Sequence, residues 1–481
     1  MAAPGGRAAA AAALRLLGPA RWSPPPRAHH PRGLAAAAAV RVVQGWDKRL
    51  GTEVVESEAG TLRVARRPAA GPPAGGGPRR EGPPAWLRGA SEQLAATFLP
   101  RGYPDTVAPG YLPYVKWQWV HHCAGSANGV LASSFLLYAV GLTAGAIPTA
   151  GALNWVLKDG LGQLGTLVFG KYLGHRFDMS AKGWYLAASA KLNLGIAMEI
   201  ASFAQPGLFL PLASGANMVK GLAWMCGGST RSAFNVSFAR ANNIADVTAK
   251  ATSQTISSFV VGNSLGMGLA SAVGQDVALA YAAFGLCTAL HLGSAWRCLA
   301  HVPLATLNQS RLQLLAREYA ASGAVGPPEA LAAADPVLHL QPHVPADLEP
   351  RVRVGERLAG PRGPLLGGRA LEALVAAHRR ERYLLWRGAD GFHVLFHRDA
   401  DVAAVAQAFL HAELLHRDPG FAARDAAGQL ACAREAAGGF LRGVEAAGWK
   451  VDQTLVDDAA SRAVWEVTGG ADARERKEGG S

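Results

Sequence analysis

Cysteine is scarce here and poorly placed for chemistry. The 481-residue chain has five, Cys123, Cys226, Cys287, Cys298 and Cys432, far apart and without a Cys-x-x-Cys pair. That spacing disfavours both a disulfide framework and a zinc site, and leaves the thiols as small buried hydrophobes. Charge is sparse as well: charged residues make up 17%, against roughly 25% in soluble domains. No acidic residue precedes Asp47. A G-x-S-x-G elbow, a P-loop and a paired Cys/His constellation are all missing. The histidines His121-His122, His291 and His301 have no carboxylate or cysteine at metal-ligand spacing and are expected to be non-ligands. No catalytic residue, metal or cofactor is therefore assigned. The net charge of +12 comes largely from the N-terminus and from scattered arginines rather than from one stripe. Nucleic acid is accordingly not expected as a partner, and anionic membrane lipid fits better.

What the chain does have is apolar length. Hydrophobic residues make up 50%, concentrated between Cys123 and Ala300 in runs of Ala, Gly, Leu, Ser and Val. Residues 125–147, 257–273 and 277–298 are nearly free of charge, while 153–169, 184–203 and 208–225 each carry one or two ions. A bilayer span needs about 20 apolar residues, so between two and six of these runs qualify. Tyr111, Tyr114, Trp117 and Trp119 precede them, as suits a membrane–water interface or an aromatic lid on a soluble core.

The charges inside these runs are the most informative residues. Lys158, Asp159, Lys191, Glu199, Lys220, Asp246 and Lys250 each need a partner or a polar cavity. Asp246, Lys250 and Gln254 follow i, i+4, i+8 spacing, with Asn243 and Ser257 near the same face. They read as a polar lining for a solute path, or as a buried ion pair fixing helix register. Lys191 and Glu199 share a face but lie about 12 Å apart along a helix, so each needs a partner elsewhere. The expectation is one interior network of Lys158, Asp159, Lys191, Glu199, Asn243, Asp246, Lys250 and Gln254. Gly227, Gly228, Ser229, Thr230 and Arg231 form a candidate anion nest at a helix start, the plainer alternative being an interhelical loop. Gly160-Leu161-Gly162-Gln163-Leu164-Gly165 matches G-x-G-x-x-G, but no alternating strand–helix pattern follows it. Close helix packing explains it better, as it does Gly262 and Gly266.

The expected fold class is mainly α: a multi-helix membrane-embedded bundle followed by a small α+β C-terminal domain. Residues 1–94 form a disordered N-terminal region. Its Arg-rich, acid-free start reads as a transit peptide or as an Ala/Pro tail. Residues 95–321 form the helical core, 322–363 a linker, 364–468 the α+β domain and 469–481 a disordered tail.

Several motifs resemble the root UVB-sensitive (RUS) family. They are Phe98-Leu99-Pro100-Arg101-Gly102-Tyr103-Pro104, Tyr111-Leu112-Pro113-Tyr114 with Trp117, and Val130-Leu131-Ala132. Further on come Ala139-Val140-Gly141-Leu142, Trp155-Val156-Leu157-Lys158-Asp159-Gly160, Gly227-Gly228-Ser229-Thr230-Arg231, and Asn243-Ile244-Ala245-Asp246-Val247-Thr248-Ala249-Lys250. Order and spacing hold over more than a third of the chain, and the tryptophan-containing forms look most like plant and green-algal members. The resemblance implies a non-enzymatic, membrane-associated protein, often of plastids, with the mitochondrion as the alternative organelle. It implies a link to UV-B response and early development, auxin transport or pyridoxal-phosphate homeostasis, with other RUS-family proteins as partners. It implies no catalytic residues. A membrane carrier for a small anionic or zwitterionic solute is the alternative function, and an enzyme on a soluble helical scaffold is a third reading.

Overall fold

The computed structural model describes residues 40–47, 51–58, 61–67, 85–139, 149–173, 177–335, 350, 352–355, 358–360, 363–364, 366–389, 391–456 and 462–465. Two compact units divide at Pro83/Pro84. Within the first unit, β1 (Val40–Asp47), β2 (Gly51–Glu58) and β3 (Thr61–Arg67) form an antiparallel meander in that order. This corrects the expectation of disorder throughout 1–94. Val40, Val42, Val43, Val54, Val55 and Val64 supply the β-branched residues that a pleated surface favours, and Glu58 pairs with Thr61 to close the second hairpin. The candidate transit peptide lies outside the described residues, as does the tail 469–481.

The second unit opens with α1 (Ala85–Phe98) and five long helices: α2 (Tyr111–Ala139), α3 (Thr149–Leu173), α4 (Ala181–Ala204), α5 (Phe209–Phe238) and α6 (Ile244–Val273). The bundle closes with α7 (Val277–Leu299), whose N-cap Asp276 accepts a hydrogen bond from the Leu279 amide at 2.9 Å. Helix α2 is central and packs against α4, α6 and α7, while α5 lies between α4 and α3. Glycine permits the closest approaches. A Cβ on Gly266 would sit 2.9 Å from the Ala127 carbonyl oxygen of α2, and one on Gly262 would collide with the Cys123 carbonyl. The Gly262/Gly266 pair is thus a helix-packing motif. Gly162 and Gly165 do the same for α3, facing Asn217 and Met218 of α5, so the G-x-G-x-x-G run is helical and carries no phosphate loop.

Helices α6 and α7 are long and apolar enough to cross a membrane, and only 22% and 17% of their apolar windows are buried inside the protein. Those two are the spans that meet this test among the described residues, fewer than the upper end of the sequence range. The fold is mainly helical with little sheet.

After α7 the chain enters β4 (Thr306–Asn308) and α8 (Gln309–Ser322), then α9 (Pro328–Leu331), β5 (Val352–Val354), β6 (Ala359–Gly360) and β7 (Gly363–Pro364). The last part holds α10 (Gly368–Ala377), β8 (Tyr383–Gly388), β9 (Gly391–Phe396), α11 (Val402–Arg417), α12 (Pro419–Ala422), α13 (Ala426–Ala446) and β10 (Lys450–Leu455). The boundaries expected at 321 and 364 are corrected here. Leu312, Leu315 and Ala316 of α8 share one core with Tyr383, Phe409 and Phe440. β5 pairs in parallel with β9 and β10 with β4, so part of the expected linker is sheet. Asp335, also in that segment, is buried. It accepts from Arg311 at 3.0 Å and from Lys182, in the first turn of α4, at 3.2 Å. Burial by itself would raise this carboxyl, but the two cations outweigh it and hold it below the ordinary carboxylate range.

Candidate functional site

A cavity of about 610 Å³ opens between α2, α4, α5, α6 and α7, within the range of small-molecule sites. The α5 wall explains its shape. Lys220, Ala223, Trp224, Gly227, Gly228 and Arg231 all line it, and their spacing of i, i+3, i+4, i+7, i+8, i+11 is one stripe along three helical turns. Small residues at 223, 227 and 228 leave room. Long side chains at 220 and 231 place one cation toward each end, with backbone positions about 16 Å apart along the axis.

At one end Arg231 donates to the Thr255 hydroxyl at 3.1 Å and lies 3.5 Å from His122 Nε2. No carboxylate pairs with it among the described residues. Trp224 and Phe259 meet edge to face at 6.4 Å, and His122 lies against Phe259 at 5.8 Å. These rings make an aromatic wall beside the guanidinium. His121 stacks on His291, with centroids 4.0 Å apart and planes 10° apart. His121 Nδ1 donates to the His291 carbonyl oxygen at 3.0 Å. Asn193 fixes the second ring: its Nδ2 lies 2.9 Å from His291 Nδ1, while its Oδ1 accepts from the Thr288 hydroxyl at 3.3 Å. An amide that donates to Nδ1 leaves the proton of neutral His291 on Nε2. Asn263 and Ser126, joined by a hydrogen bond of 2.5 Å, add polar surface. At the other end Lys220 pairs with Glu199 at 2.5 Å.

Of the residues singled out in the sequence, Gly227, Gly228, Arg231 and the planted charge Lys220 line this cavity. The expected anion nest is corrected. Gly227–Arg231 lie inside α5, where backbone N–H groups are spent on the helix and the Thr230 hydroxyl returns to the Cys226 carbonyl at 2.8 Å. The positive group that meets the cavity is the Arg231 side chain.

The expected single network divides into separate contacts. Glu199 takes Lys220, a residue outside the expected set. Lys191 lies 5.0 Å over the Trp184 ring. Asp159 accepts from Asn217 at 3.2 Å, and the Lys158 side chain lies outside the described residues. Asp246, Lys250, Gln254 and Asn243 do something different from lining a solute path. Asp246 accepts from the Arg101 amide at 2.7 Å, and Lys250 donates to the Ala96 carbonyl at 2.6 Å. Gln254 donates to the Phe98 carbonyl at 2.6 Å, and Asn243 to the Thr106 carbonyl at 3.2 Å. The four side chains clamp the end of α1 and the loop after it, Ala96–Thr106, onto the first turns of α6, because the last carbonyls of a helix and an irregular loop leave backbone groups that need partners. His121, His122, His291, Trp224, Phe259 and Asn263 were not legible as site residues. The one available signal was the α5 stripe from Lys220 to Arg231.

The family model described as "Vitamin B6 photo-protection and homoeostasis domain" matches residues 87–323. This is the segment that builds every wall of the cavity. The chain belongs to the root UVB sensitive family. It is 34% identical to Protein root UVB sensitive 6 of Arabidopsis thaliana over 48% of its own length and 46% of that protein's, so the match spans about half of each chain. With Protein root UVB sensitive 2, chloroplastic, from the same plant it shares 29% identity over 78% of this chain and 85% of the relative. With RUS family member 1 of Dictyostelium discoideum it shares 32% over 46% and 43%. No solved structure matches the chain.

Proposed function

We propose that this RUS-family chain acts without catalysis in vitamin B6 homeostasis and UV-B response, by binding a small anionic or zwitterionic solute in the α2–α4–α5–α6–α7 cavity. The observation that carries the reading is Arg231, a cation on the cavity wall without a carboxylate partner among the described residues. A charge so placed is stabilised by an incoming anion. The edge-to-face pair of Trp224 and Phe259 beside it suits a planar ring. A phosphorylated pyridine offers both features, and the family description favours it. The apolar, largely unburied faces of α6 and α7 support membrane association, and with it a carrier role. The name of the chloroplastic relative favours a plastid membrane. Lipid and other RUS-family chains are the proposed partners.

The test is titration of the detergent-solubilised full-length protein with pyridoxine phosphate, followed by tryptophan fluorescence. Saturable binding is expected, weakened at least tenfold in Arg231→Gln, since a hydrogen bond to a charged group contributes roughly 1.5–3 kcal/mol. Indole-3-acetate, an auxin that also joins an aromatic ring to an anion, is the competitor to compare. Absence of saturable binding, or an unchanged affinity in the variant, would sink the reading.

A further inference from the structure

The cavity wall carries a lysine, Lys220, as well as Arg231. Other described lysines are placed elsewhere: Lys182 is held by Asp335, Lys191 by the Trp184 ring and Lys250 by the Ala96 carbonyl, while Lys116 and Lys171 face outward. The path of the Lys220 stem is built by glycine. A Cβ on Gly195 of α4 would approach Lys220 Cγ to 2.5 Å and the Ala216 carbonyl oxygen to 3.0 Å. The stem therefore runs through a passage that only glycine leaves open. It ends on Glu199, one turn beyond Gly195 on α4. That carboxylate is 2% exposed, and Lys220 is 24% exposed. The amine head thus has a buried acid on one side and the cavity on the other, and Arg231 lies three turns along the same stripe.

We propose that Lys220 forms a reversible imine with an anionic ligand that carries an aldehyde, its anionic group resting on Arg231. This deepens the reading above and rests on it: among phosphorylated pyridines, the aldehyde form is held covalently and the alcohol form only by contact. The step balances without a redox partner. Glu199 takes a proton from the Lys220 ammonium, and the free amine adds to the aldehyde carbon. The adduct nitrogen passes one proton to the oxygen to give the carbinol, and Glu199 returns its proton to that oxygen, which leaves as water. The nitrogen of the protonated imine is cationic like the ammonium it replaces, so Glu199 keeps an opposite charge and the buried carboxylate is never stranded.

The experiment treats the full-length protein with pyridoxal 5′-phosphate, reduces with borohydride and maps modified lysines by peptide mass spectrometry. Excess pyridoxine phosphate, which lacks the aldehyde, is the protecting competitor. The expected result is a single dominant reduced adduct on Lys220, suppressed by pyridoxine phosphate. In Lys220→Arg the adduct is lost, while the protein still unfolds cooperatively. Wild-type mapping keeps the test decisive even if that variant fails to fold. Label spread over outward lysines such as Lys116 and Lys171, or an unprotected Lys220, overturns the imine. If pyridoxine phosphate still binds in that case, the anion-binding function stands and the covalent step alone falls. If it does not bind, both fall.

Discussion

At the residue scale, this protein holds charge among its helices in two distinct ways. Lys182, Arg311 and Asp335 are nearly inaccessible and fully reciprocal: one carboxylate answers two cations, and Lys182 and Arg311 also donate to the Ala332 and Thr306 carbonyls at 2.7 Å each. This triad is a fastening between α4 and α8. Removing its single anion leaves two buried cations uncompensated, so Asp335→Ala is expected to cost about 3–5 kcal/mol. Denaturant titration of the variant checks this, and a loss under 1 kcal/mol would refute the fastening role. Arg231 differs because no carboxylate neutralises it among the described residues, and in the proposed function it is the group that recognises the anion. Arg231→Gln should therefore affect ligand affinity far more than stability.

At the element scale, the bundle depends on helices approaching more closely than their side chains would allow. The α2–α6 seam shows this within a single helix. Gly266 meets the α2 backbone, whereas a Cβ on Gly268, two residues on, would find nothing within 4 Å. Gly266→Val should lower stability by about 1–3 kcal/mol through overpacking. Gly268→Val should change it much less. Parallel thermal melts in one detergent separate the two, and equal losses would show that the seam is not closely packed. The sequence marked Gly262 and Gly266 as a packing pair, because G-x-x-x-G is a local pattern. The hairpin β8–β9 is local as well, and its register pairs Gly388 with Gly391. The parallel pairing of β10 with β4 was not readable, because more than 140 residues separate the partners and neither strand has a turn signal tying it to the other.

At the whole-molecule scale, two behaviours follow. The first is sensitivity to acid. Burial lowers His411 to about 3 from its ordinary 6.5, and it lies 3.0 Å from the Tyr383 hydroxyl, near His378, with Gln407 joining Tyr383 to Glu381 and Arg434. Burial also lowers His378. The unfolded chain takes up these protons first, so stability falls as pH drops below 6.5, by about 1.4 kcal/mol per pH unit for one such group. Asp335 adds to the loss at lower pH, since a carboxyl held below its ordinary range stabilises the fold until pH falls through its folded value. Melts from pH 7 to pH 4 should show the decline, and His411→Gln should flatten part of it. A flat wild-type profile would contradict the burial argument. The second behaviour is membrane retention. Alkaline carbonate extraction should leave the protein in the membrane pellet, held by α6 and α7. Release into the supernatant would remove the spanning and carrier readings together.

The sequence determined the family, the helical middle and the residues that needed partners, because apolar composition, local periodicity and short motifs are properties of neighbours along the chain. It did not determine which partners they took. Asp246 and Lys250 are perfectly spaced to answer each other on one helix, yet they hold the backbone around Ala96–Thr106. Glu199 found Lys220 across a glycine gap. His121 and His291, 170 residues apart, became stacked rings on a cavity wall. Those choices are made by helix packing, which brings together groups with no relation in sequence and favours pairings in which buried ions and backbone groups find partners.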